Sequence, residues 1–314
     1  MRAATIVDGA VVVADRPDPV PGTGELLVAV RAAGLNGADL MQVAGRYPAP
    51  PGSPQDVPGL ELAGEVVDVG PGVRRFGAGS RVMALLGGGG QAELAVVHER
   101  VAMPVPEELS WAEAGGFPEV FCTAHDALFT SCALGPGERL LVHGAAGGVG
   151  TAAVQLGVAA GARVTASVRA PERREAVAAL GAEVRAPDDL DGTGPFDVVL
   201  ELVGAPNLAA DVGSLATGGR VAVIGLGAGS RADLDLSVLL ARRGRIVGST
   251  LRARPLEEKA MVARRVEAAV LPLLSGGRVK VLVGETFPLA EAPAAYERFG
   301  AGAKLGKLVL TAVD

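Results

Sequence analysis

A short apolar segment that leads through a glycine-rich turn into a helix is the feature that most constrains the fold of this chain. Arg139 to His143 predicts a strand, and Thr151 to Ala160 predicts a helix rich in Ala, Val and Leu. The sequence between them, at residues 144–150, is Gly-Ala-Ala-Gly-Gly-Val-Gly. Such a turn lets the backbone and the helix N-terminus approach the pyrophosphate of a dinucleotide. We therefore predict dinucleotide contacts from Ala146, Gly147, Gly148, Val149 and Gly150.

The glycine run alone is also compatible with an ordinary turn, because Ala145 stands where the G-x-G-x-x-G fingerprint has its first glycine. A phosphate-binding P-loop fits less well, since Thr151 follows Gly150 with no lysine between them. The segments that follow favour a dinucleotide fold, because apolar strands alternate with helices, as in a parallel sheet covered on both faces. The predicted class is α/β, a Rossmann doubly wound parallel sheet, with further strands at 162–168, 183–186, 196–202, 220–224 and 245–249 and helices at 171–180 and 207–216.

The end of the second predicted strand indicates which dinucleotide is bound. Sites that prefer NAD place an acid about 20 residues beyond the first glycine. Here a serine and three arginines cluster instead, and the nearby Glu172 is expected in a first helical turn. Because arginine binds phosphate with two parallel hydrogen bonds, we predict NADPH as the cofactor, held by Ser167, Arg169 and Arg173. The alternative is a solvated basic helix end.

The composition of the chain argues against several other classes of protein. The chain has 314 residues, enough for two domains, and a net charge of −6 with its other arginines scattered, which argues against nucleic acid or an anionic membrane as a partner. Cys122 and Cys132 are the only cysteines, so there is no disulfide framework. No apolar run reaches membrane-spanning length, and Asp8 lies where a signal peptide would be apolar. We predict a cytoplasmic protein.

The two ends of the chain have a different pattern from its centre. Short β-like runs at 4–7, 26–30, 61–69, 81–85 and 92–97 are separated by Pro/Gly-rich turns, which is typical of a partly open barrel. After the last Rossmann strand we predict a helix over 256–274, a strand over 282–287, a helix over 291–299 and a strand over 307–311. An unpaired strand would leave its backbone unsatisfied, so this tail should join the barrel. The prediction is a discontinuous catalytic domain, 1–117 and 252–314, around an NADP-binding domain, 118–251.

Several segments, in this order and spacing, resemble the medium-chain dehydrogenase/reductase superfamily in its zinc-independent NADPH:quinone oxidoreductase branch. They include Ala33–Met41, Gly45–Pro48, Pro58–Gly64, Val82–Leu85, Ala145–Gly150 and Gly306–Leu310, and Asn36–Gln42 matches an Asn-x-Ala-Asp-Leu-Met-Gln segment. In this branch an alanine before the glycines is usual. The resemblance implies a GroES-like barrel domain beside the Rossmann domain, and a homodimer.

The residues themselves argue against a metal. Zinc-dependent relatives carry a cysteine near Asn36 and a His-Glu pair near Leu60–Glu61, whereas this chain has Asn and Leu-Glu. Its three histidines, at 98, 125 and 143, and its two cysteines are too scattered for a tetrahedral site. We therefore predict no metal, and hydride transfer to a quinone or an α,β-unsaturated carbonyl rather than alcohol oxidation.

By resemblance, Asn36, Asp39 and Tyr47 line the substrate side and are the candidate catalytic residues. Tyr47 is expected to donate to or stack on the acceptor, or else to pack on the neighbouring prolines. Asn36 could donate to the carbonyl, and Asp39 is either a proton donor or a helix cap. The resemblance also implies cofactor contacts from Thr123 and Leu251 near the nicotinamide, from Lys307 near the phosphates, and from the strand ends at Val203, Gly204, Ile224, Gly225 and Leu226.

Two other functions stay open. One is an enoyl-thioester reductase of polyketide or lipid biosynthesis, which should have a larger apolar channel and a basic patch for the carrier. The other is a non-catalytic protein that senses NADPH or associates with RNA, although the acidic net charge argues against RNA.

Overall fold

The computed structural model describes residues 1–302 and 304–312. The chain divides into two compact units. The terminal unit comprises Met1–Cys122 and Leu251–Asp314, and the central unit comprises Thr123–Thr250. The first division falls after residue 122 rather than after 117, inside a helix that spans Pro118–His125.

The elements of the described residues are numbered along the chain. The strands are β1 (Arg2–Val7), β2 (Ala10–Asp15), β3 (Glu25–Gly34), β4 (Glu61–Val69), β5 (Arg81–Leu85), β6 (Leu94–His98), β7 (Ala102–Pro104), β8 (Arg139–Val142), β9 (Arg163–Ser167), β10 (Glu183–Arg185), β11 (Phe196–Glu201), β12 (Leu215–Val223), β13 (Arg245–Gly248), β14 (Val283–Pro288) and β15 (Lys307–Thr311). The α-helices are α1 (Gly37–Val43), α2 (Trp111–Gly115), α3 (Pro118–His125), α4 (Gly148–Ala159), α5 (Arg174–Ala178), α6 (Leu208–Gly213), α7 (Leu236–Arg242), α8 (Leu256–Ala269), α9 (Leu271–Ser275) and α10 (Ala292–Gly300).

The terminal unit is built on β3, which pairs antiparallel with β4, β6 and β15. Its seven-stranded sheet has the order β14-β15-β3-β4-β5-β7, with β6 branching from β3, and β14 and β15 run parallel. In the part of the chain that is described, this order does not return to its start, which matches the partly open barrel expected from the sequence. Apolar side chains alternate along β3, where Leu26, Val28 and Val30 enter the core. Leu62 and Val66 of β4 belong to the same core, which packs β4 beside β3 although their pairing shifts register between Leu27 and Val28 and between Val30 and Ala32.

The central unit contains a six-stranded parallel sheet in the order β10-β9-β8-β11-β12-β13. Numbered within this unit the order is 3-2-1-4-5-6, which is that of the Rossmann fold. The strands carry buried apolar residues such as Leu141, Val199 and Val221, as predicted for a sheet covered on both faces. The reversal of strand order lies between β8 and β11, so the glycine-rich turn after β8 is at the position where such sheets bind nucleotides.

Several elements differ from the sequence prediction. The helix predicted over 256–274 is divided into α8 and α9, because Pro272 cannot donate the backbone hydrogen bond that a continuous helix needs. The helix predicted over 207–216 ends at Gly213, and Leu215 already belongs to β12. Strand β2 was not predicted. It pairs antiparallel with β1 through a hairpin turn at Asp8 and Gly9, both of which have positive φ.

The elements β7 and α7 were also absent from the prediction. None of the helices in the described part of the chain has both the length and the apolar character that a membrane crossing demands.

Candidate functional site

The glycine-rich turn has the geometry of a phosphate-binding site. Gly147 caps α4, and a Cβ atom on Gly150 would lie 2.4 Å from the carbonyl oxygen of Gly144. Only glycine therefore lets α4 start this close to the turn. The residues 146–149 are partly exposed, and the first amides of a helix have no partner inside the helix. The turn thus offers accessible amides to an anion, as a nicotinamide dinucleotide requires.

The arginine cluster after β9 is not uniform. Ser167 is buried at the end of β9, whereas Arg169 is exposed. Arg173 forms an ion pair of 3.1 Å with Glu172, and the Nε of Arg174 donates to the carbonyl of Val168. The guanidinium of Arg169 makes no hydrogen bond or ion pair to any residue among 1–302 and 304–312. Of the predicted phosphate contacts, Arg169 is therefore the cation that is available to an external anion.

The turns after β11 and β12 hold each other in place. Ala228 donates its amide to the carbonyl of Val203, and a Cβ atom on Gly225 would lie 2.1 Å from the carbonyl oxygen of Leu202. Leu226 is 51% exposed at the rim of a cavity of about 220 Å³ that Gly204 also lines. The predicted contacts Val203, Gly204, Ile224, Gly225 and Leu226 thus come together within the central unit, where Thr123, on α3, is partly exposed.

A buried ionisable cluster supports these turns. The Nε2 of His143 lies 2.8 Å from Asp211 and 4.0 Å from Glu201, and all three residues are buried. Glu201 accepts hydrogen bonds from the amides of Val203 and Gly204, the latter at 2.7 Å. The carboxylate of Glu201 therefore fixes the backbone of a predicted cofactor-binding turn.

The same cluster offers three metal-ligand types within 4.8 Å. Its 2.8 Å contact is hydrogen-bond length, whereas two ligands of one tetrahedral zinc lie roughly 3.3 Å apart. Burial by itself lowers the pKa of His143, but the hydrogen bond and charge of Asp211 outweigh burial and raise it. Burial also raises the pKa of Asp211, whose Oδ2 has no hydrogen-bond partner among the described residues. The cluster is accordingly a buried hydrogen-bonded group of one histidine and two carboxyl groups.

In the terminal unit, Lys307 lies at the centre of a second buried network. Its ammonium, on a residue only 3% exposed, donates to the carbonyl of Leu35 at 2.8 Å, to Asn36 Oδ1 at 2.8 Å and to Glu61 Oε1 at 2.5 Å. Asn36 Nδ2 in turn donates to Glu61 at 3.0 Å and to the carbonyl of Gly34 at 3.3 Å. All donors of the lysine and of the asparagine amide are therefore used inside the protein.

This network bears on two predicted contacts, that of Lys307 with a cofactor phosphate and that of Asn36 with a substrate. Lys307 does not have a free donor for a cofactor phosphate, because its three N–H groups meet three protein acceptors. Asn36 does not have a free N–H for a substrate carbonyl, for the same reason. Both residues instead fix Glu61 in the core of the terminal unit.

The donor set also does not fit zinc. Asn36 and Glu61, at the positions where zinc-dependent relatives have ligands, are both bound to the ammonium of Lys307. A fixed positive charge there repels a divalent cation, and neither cysteine nor histidine is present at these positions.

Asp39 has the capping role that the sequence left open. Its fully buried carboxylate accepts from the amide of Asn36 at 2.8 Å, from the amide of Gly59 at 3.2 Å and from Gln91 Nε2 at 3.3 Å. Burial raises the pKa of Asp39 to about 6, although these amides and the charge of Lys307 lower it. The residue joins the start of α1 to the loop before β4, and its oxygens are occupied by these bonds.

Arg252 contacts both the ring and the backbone of Tyr47. The guanidinium lies 5.1 Å from the centre of the tyrosine ring and donates to the Tyr47 carbonyl at 2.8 Å. It also donates to the carbonyl of Gly87 and to Gln42. The ring is partly exposed, so Tyr47 is the one of the three predicted catalytic residues whose side chain is accessible. Leu251, next to Arg252, is buried.

The sequence prediction gave no role to Arg252 or Glu119. Glu119 follows Pro118 at the start of α3, and its amide donates to Glu61 Oε2 at 2.8 Å. Burial, and next the charge of Glu61, raise the pKa of Glu119 to about 8. An acid between Pro118 and Val120 in an otherwise apolar run is the sequence signal that could have identified it.

Most of the chain is similar in sequence to known protein families. Two family models match, the alcohol dehydrogenase GroES-like domain over residues 22–107 and the zinc-binding dehydrogenase over residues 148–267. The quinone oxidoreductase of Rattus norvegicus is 31% identical over 306 residues, which are 93% of this chain and 90% of that protein. The polyketide synthase GfsB of Streptomyces halstedii is 34% identical over 299 residues, which are 92% of this chain and 5% of the synthase.

A solved structure agrees with this match. The quinone oxidoreductase of Thermus thermophilus, whose complex with NADPH is also known, superimposes with a TM-score of 0.85 at 34% identity, over 99% of this chain and 100% of that chain. Fold and site together define an oxidoreductase that uses a nicotinamide cofactor. The chain belongs to the medium-chain dehydrogenase/reductase superfamily, in its quinone oxidoreductase branch.

Proposed function

We propose that the protein transfers hydride from NADPH to a quinone or an α,β-unsaturated carbonyl without using a metal. The observation that carries this proposal is the network of Asn36, Glu61 and Lys307, which holds an ammonium where a zinc site would need ligands. The match to quinone oxidoreductases over 93% of the chain supports the reaction class.

The preference for NADPH rests on Arg169. Its guanidinium is exposed and has no protein partner in the described ranges, so it is available to the 2′-phosphate that distinguishes NADPH from NADH. The accessible amides at the start of α4 bind the pyrophosphate. When bound, the cofactor supplies the hydride, and the protein has to orient the acceptor and exclude water.

Tyr47 acts on the acceptor. Because Arg252 fixes the backbone and the ring of Tyr47, the hydroxyl is presented in a defined direction. It donates a hydrogen bond to the acceptor oxygen, where negative charge develops as hydride arrives. A preorganised donor of this kind is more effective than water because it needs no reorientation during the reaction.

A second candidate function is reduction of an enoyl thioester. It is favoured by the match of 92% of this chain to a segment of polyketide synthase GfsB. The same hydride transfer to an activated alkene serves both functions, so the substrate alone distinguishes them.

The test is oxidation of NADPH by purified, chelator-treated protein with ortho- and para-quinones, small enones and an enoyl thioester. We expect turnover with quinones or enones that added zinc does not increase. Fastest turnover with the thioester would establish the second function, and activity that depends on zinc would contradict the metal-free mechanism. Tight binding of NADPH with no turnover would favour the sensor.

The homodimer and the cytoplasmic location stay predictions. Light scattering of the purified protein and microscopy of a labelled chain in its own cell would check them.

A further inference from the structure

A cavity of about 410 Å³ is lined only by residues of the terminal unit. Its walls include the loop at 52–57, the end of β5 with the glycines that follow it, β6 and the start of α8. Most of the lining is apolar, including Leu86, Val97 and Leu256. Sites for small organic molecules have volumes of about 300–1,000 Å³ and a mostly apolar lining with few polar groups. We call this site the Lys259 cavity, after the lysine in its wall.

Four ionisable groups of the described residues line the Lys259 cavity, and three of them are already bound within the protein. The ammonium of Met1 donates to a carboxylate oxygen at 2.7 Å, Glu25 accepts from a backbone amide at 2.8 Å, and His98 Nδ1 accepts from another at 3.2 Å. The half-buried ammonium of Lys259 differs, because it forms no hydrogen bond or ion pair with any of residues 1–302 and 304–312. Such a cation has lost part of its hydration without gaining a counter-charge, and a bound anion would supply one.

The groups around Lys259 do not replace that anion. Burial lowers the pKa of the Lys259 ammonium, and the charge of Glu119 on α3 opposes burial, but no ion pair joins the two side chains. The pKa of Glu119 is itself raised to about 8, so this carboxyl group is mostly protonated at neutral pH. Lys259 therefore lacks a fixed negative partner in the described part of the terminal unit.

Gly87 and Gly88 bring unused hydrogen-bond donors to the same cavity. Both residues are buried and line it, and neither backbone amide donates to an acceptor within the ranges that the structure describes. Arg252 donates to the carbonyl of Gly87, which fixes this part of the wall. Because buried backbone N–H groups are nearly always paired in folded proteins, these two amides are donors that a ligand can use.

We propose that the Lys259 cavity binds a small organic acid, with its carboxylate on the ammonium of Lys259 and its apolar body against Leu86, Val97 and Leu256. The amides of Gly87 and Gly88 add donors for a further oxygen of the ligand. A bare inorganic anion would leave the apolar wall uncovered, and a neutral apolar molecule would leave the ammonium unpaired, so an organic acid fits better than either. This inference does not depend on the proposed hydride transfer.

The test uses 4-phenylbutyrate as the probe and 4-phenylbutanamide, which has nearly the same shape but no charge, as its control. In calorimetric titrations of the whole chain at neutral pH, we expect the acid to bind about tenfold more tightly than the amide, because only the acid forms a charged hydrogen bond. Lys259→Met should remove this preference, whereas Lys259→Arg should retain it because the positive charge remains. Lys280→Met changes a lysine at an exposed position of the same unit and should bind both compounds like the wild type.

A second variant tests the cavity rather than the charge. Val96 is a partly exposed residue of the wall, and Val96→Trp should fill the cavity and abolish binding of the acid. The melting temperature of each variant without ligand reports on its folding.

Four results would overturn the proposal. They are no binding of 4-phenylbutyrate to the wild type at millimolar concentration, equal affinity for the acid and the amide, wild-type affinity for the acid in Lys259→Met or Val96→Trp, and competition by inorganic phosphate as strong as that by a second organic acid. The last result would indicate a site for any anion, with no contribution from the apolar wall.

Discussion

In the terminal unit a lysine ammonium is enclosed by a carboxylate and an amide, whereas in the central unit an imidazole is enclosed by two carboxylates. Lys307 and Glu61 balance each other, and every donor of the ammonium has a partner. His143 faces both Asp211 and Glu201, so two negative groups share one titratable cation. Histidine is the side chain that ordinarily titrates near neutral pH. The first network therefore joins distant strands through fully used hydrogen bonds, and we expect the second to change its charge with pH.

Removing the ammonium should have the largest effect. Lys307→Met leaves Glu61 buried without its counter-charge, so we expect the free energy of unfolding to fall by about 3–5 kcal/mol. Urea unfolding measures it. Lys280→Met, at an exposed position, is the control. Lys307→Met combined with Glu61→Gln should recover much of the loss, because residue 61 then carries no unpaired charge. A double variant as unstable as the single one would show that the network is not electrostatic.

The central cluster should make the stability of the protein depend on pH. The pKa of His143 is raised in the folded state, so its contribution to stability is complete below pH about 6.5 and is lost as the pH rises through the folded value. Burial likewise raises the pKa of Asp211, which also makes stability fall with rising pH. Unfolding of the wild type between pH 5 and pH 9 would reveal this slope.

His143→Gln should flatten that slope and cost about 1.5–3 kcal/mol at pH 6, because the hydrogen bond to Asp211 involves a charged group. His98→Gln, which changes a histidine of the terminal unit outside this cluster, is expected to keep the wild-type slope. An unchanged slope in His143→Gln would assign the pH dependence to other groups.

We also expect the two units to differ in function, with substitutions in the central unit affecting the cofactor. Arg169→Ala removes the proposed contact with the 2′-phosphate, so we expect the KM for NADPH to rise by about tenfold and the KM for NADH to stay unchanged. Arg173→Ala should have a smaller effect because that side chain is already paired with Glu172. Equal losses with both cofactors would mean that Arg169 is structural.

Tyr47→Phe should give the smallest effect. Because Tyr47 is partly exposed and water can replace its hydroxyl, loss of this hydrogen bond to the acceptor oxygen is expected to lower kcat about fivefold, with the NADPH dissociation constant unchanged. Stopped-flow oxidation of NADPH with a quinone measures the step directly. Wild-type kinetics would leave Tyr47 as a packing residue that Arg252 orders.

The alternation of strands and helices along the sequence was sufficient to predict the fold. Alternating apolar strands and helices after residue 138 predicted the parallel sheet, because a sheet buried on both faces needs continuous apolar strands. The glycine spacing at 144–150 predicted the start of α4, because only small residues fit where helix and turn meet. Short elements were missed, as β2 shows, since few residues carry little periodic signal.

The amino-acid sequence by itself determined the Rossmann class of the central unit, the glycine-rich turn, and the presence of Asn36 and Leu60 near the positions where zinc-dependent relatives carry a cysteine and a histidine. The tertiary structure alone decided what the charged residues do. Asn36, Glu61 and Lys307 are separated by up to 271 residues, yet they form one network. Hydrogen bonds between such distant residues depend on strand pairing, here of β3 with both β4 and β15, and local sequence does not encode that register. The pairing explains why the ammonium of Lys307 is bound inside the terminal unit, next to Asn36 and Glu61.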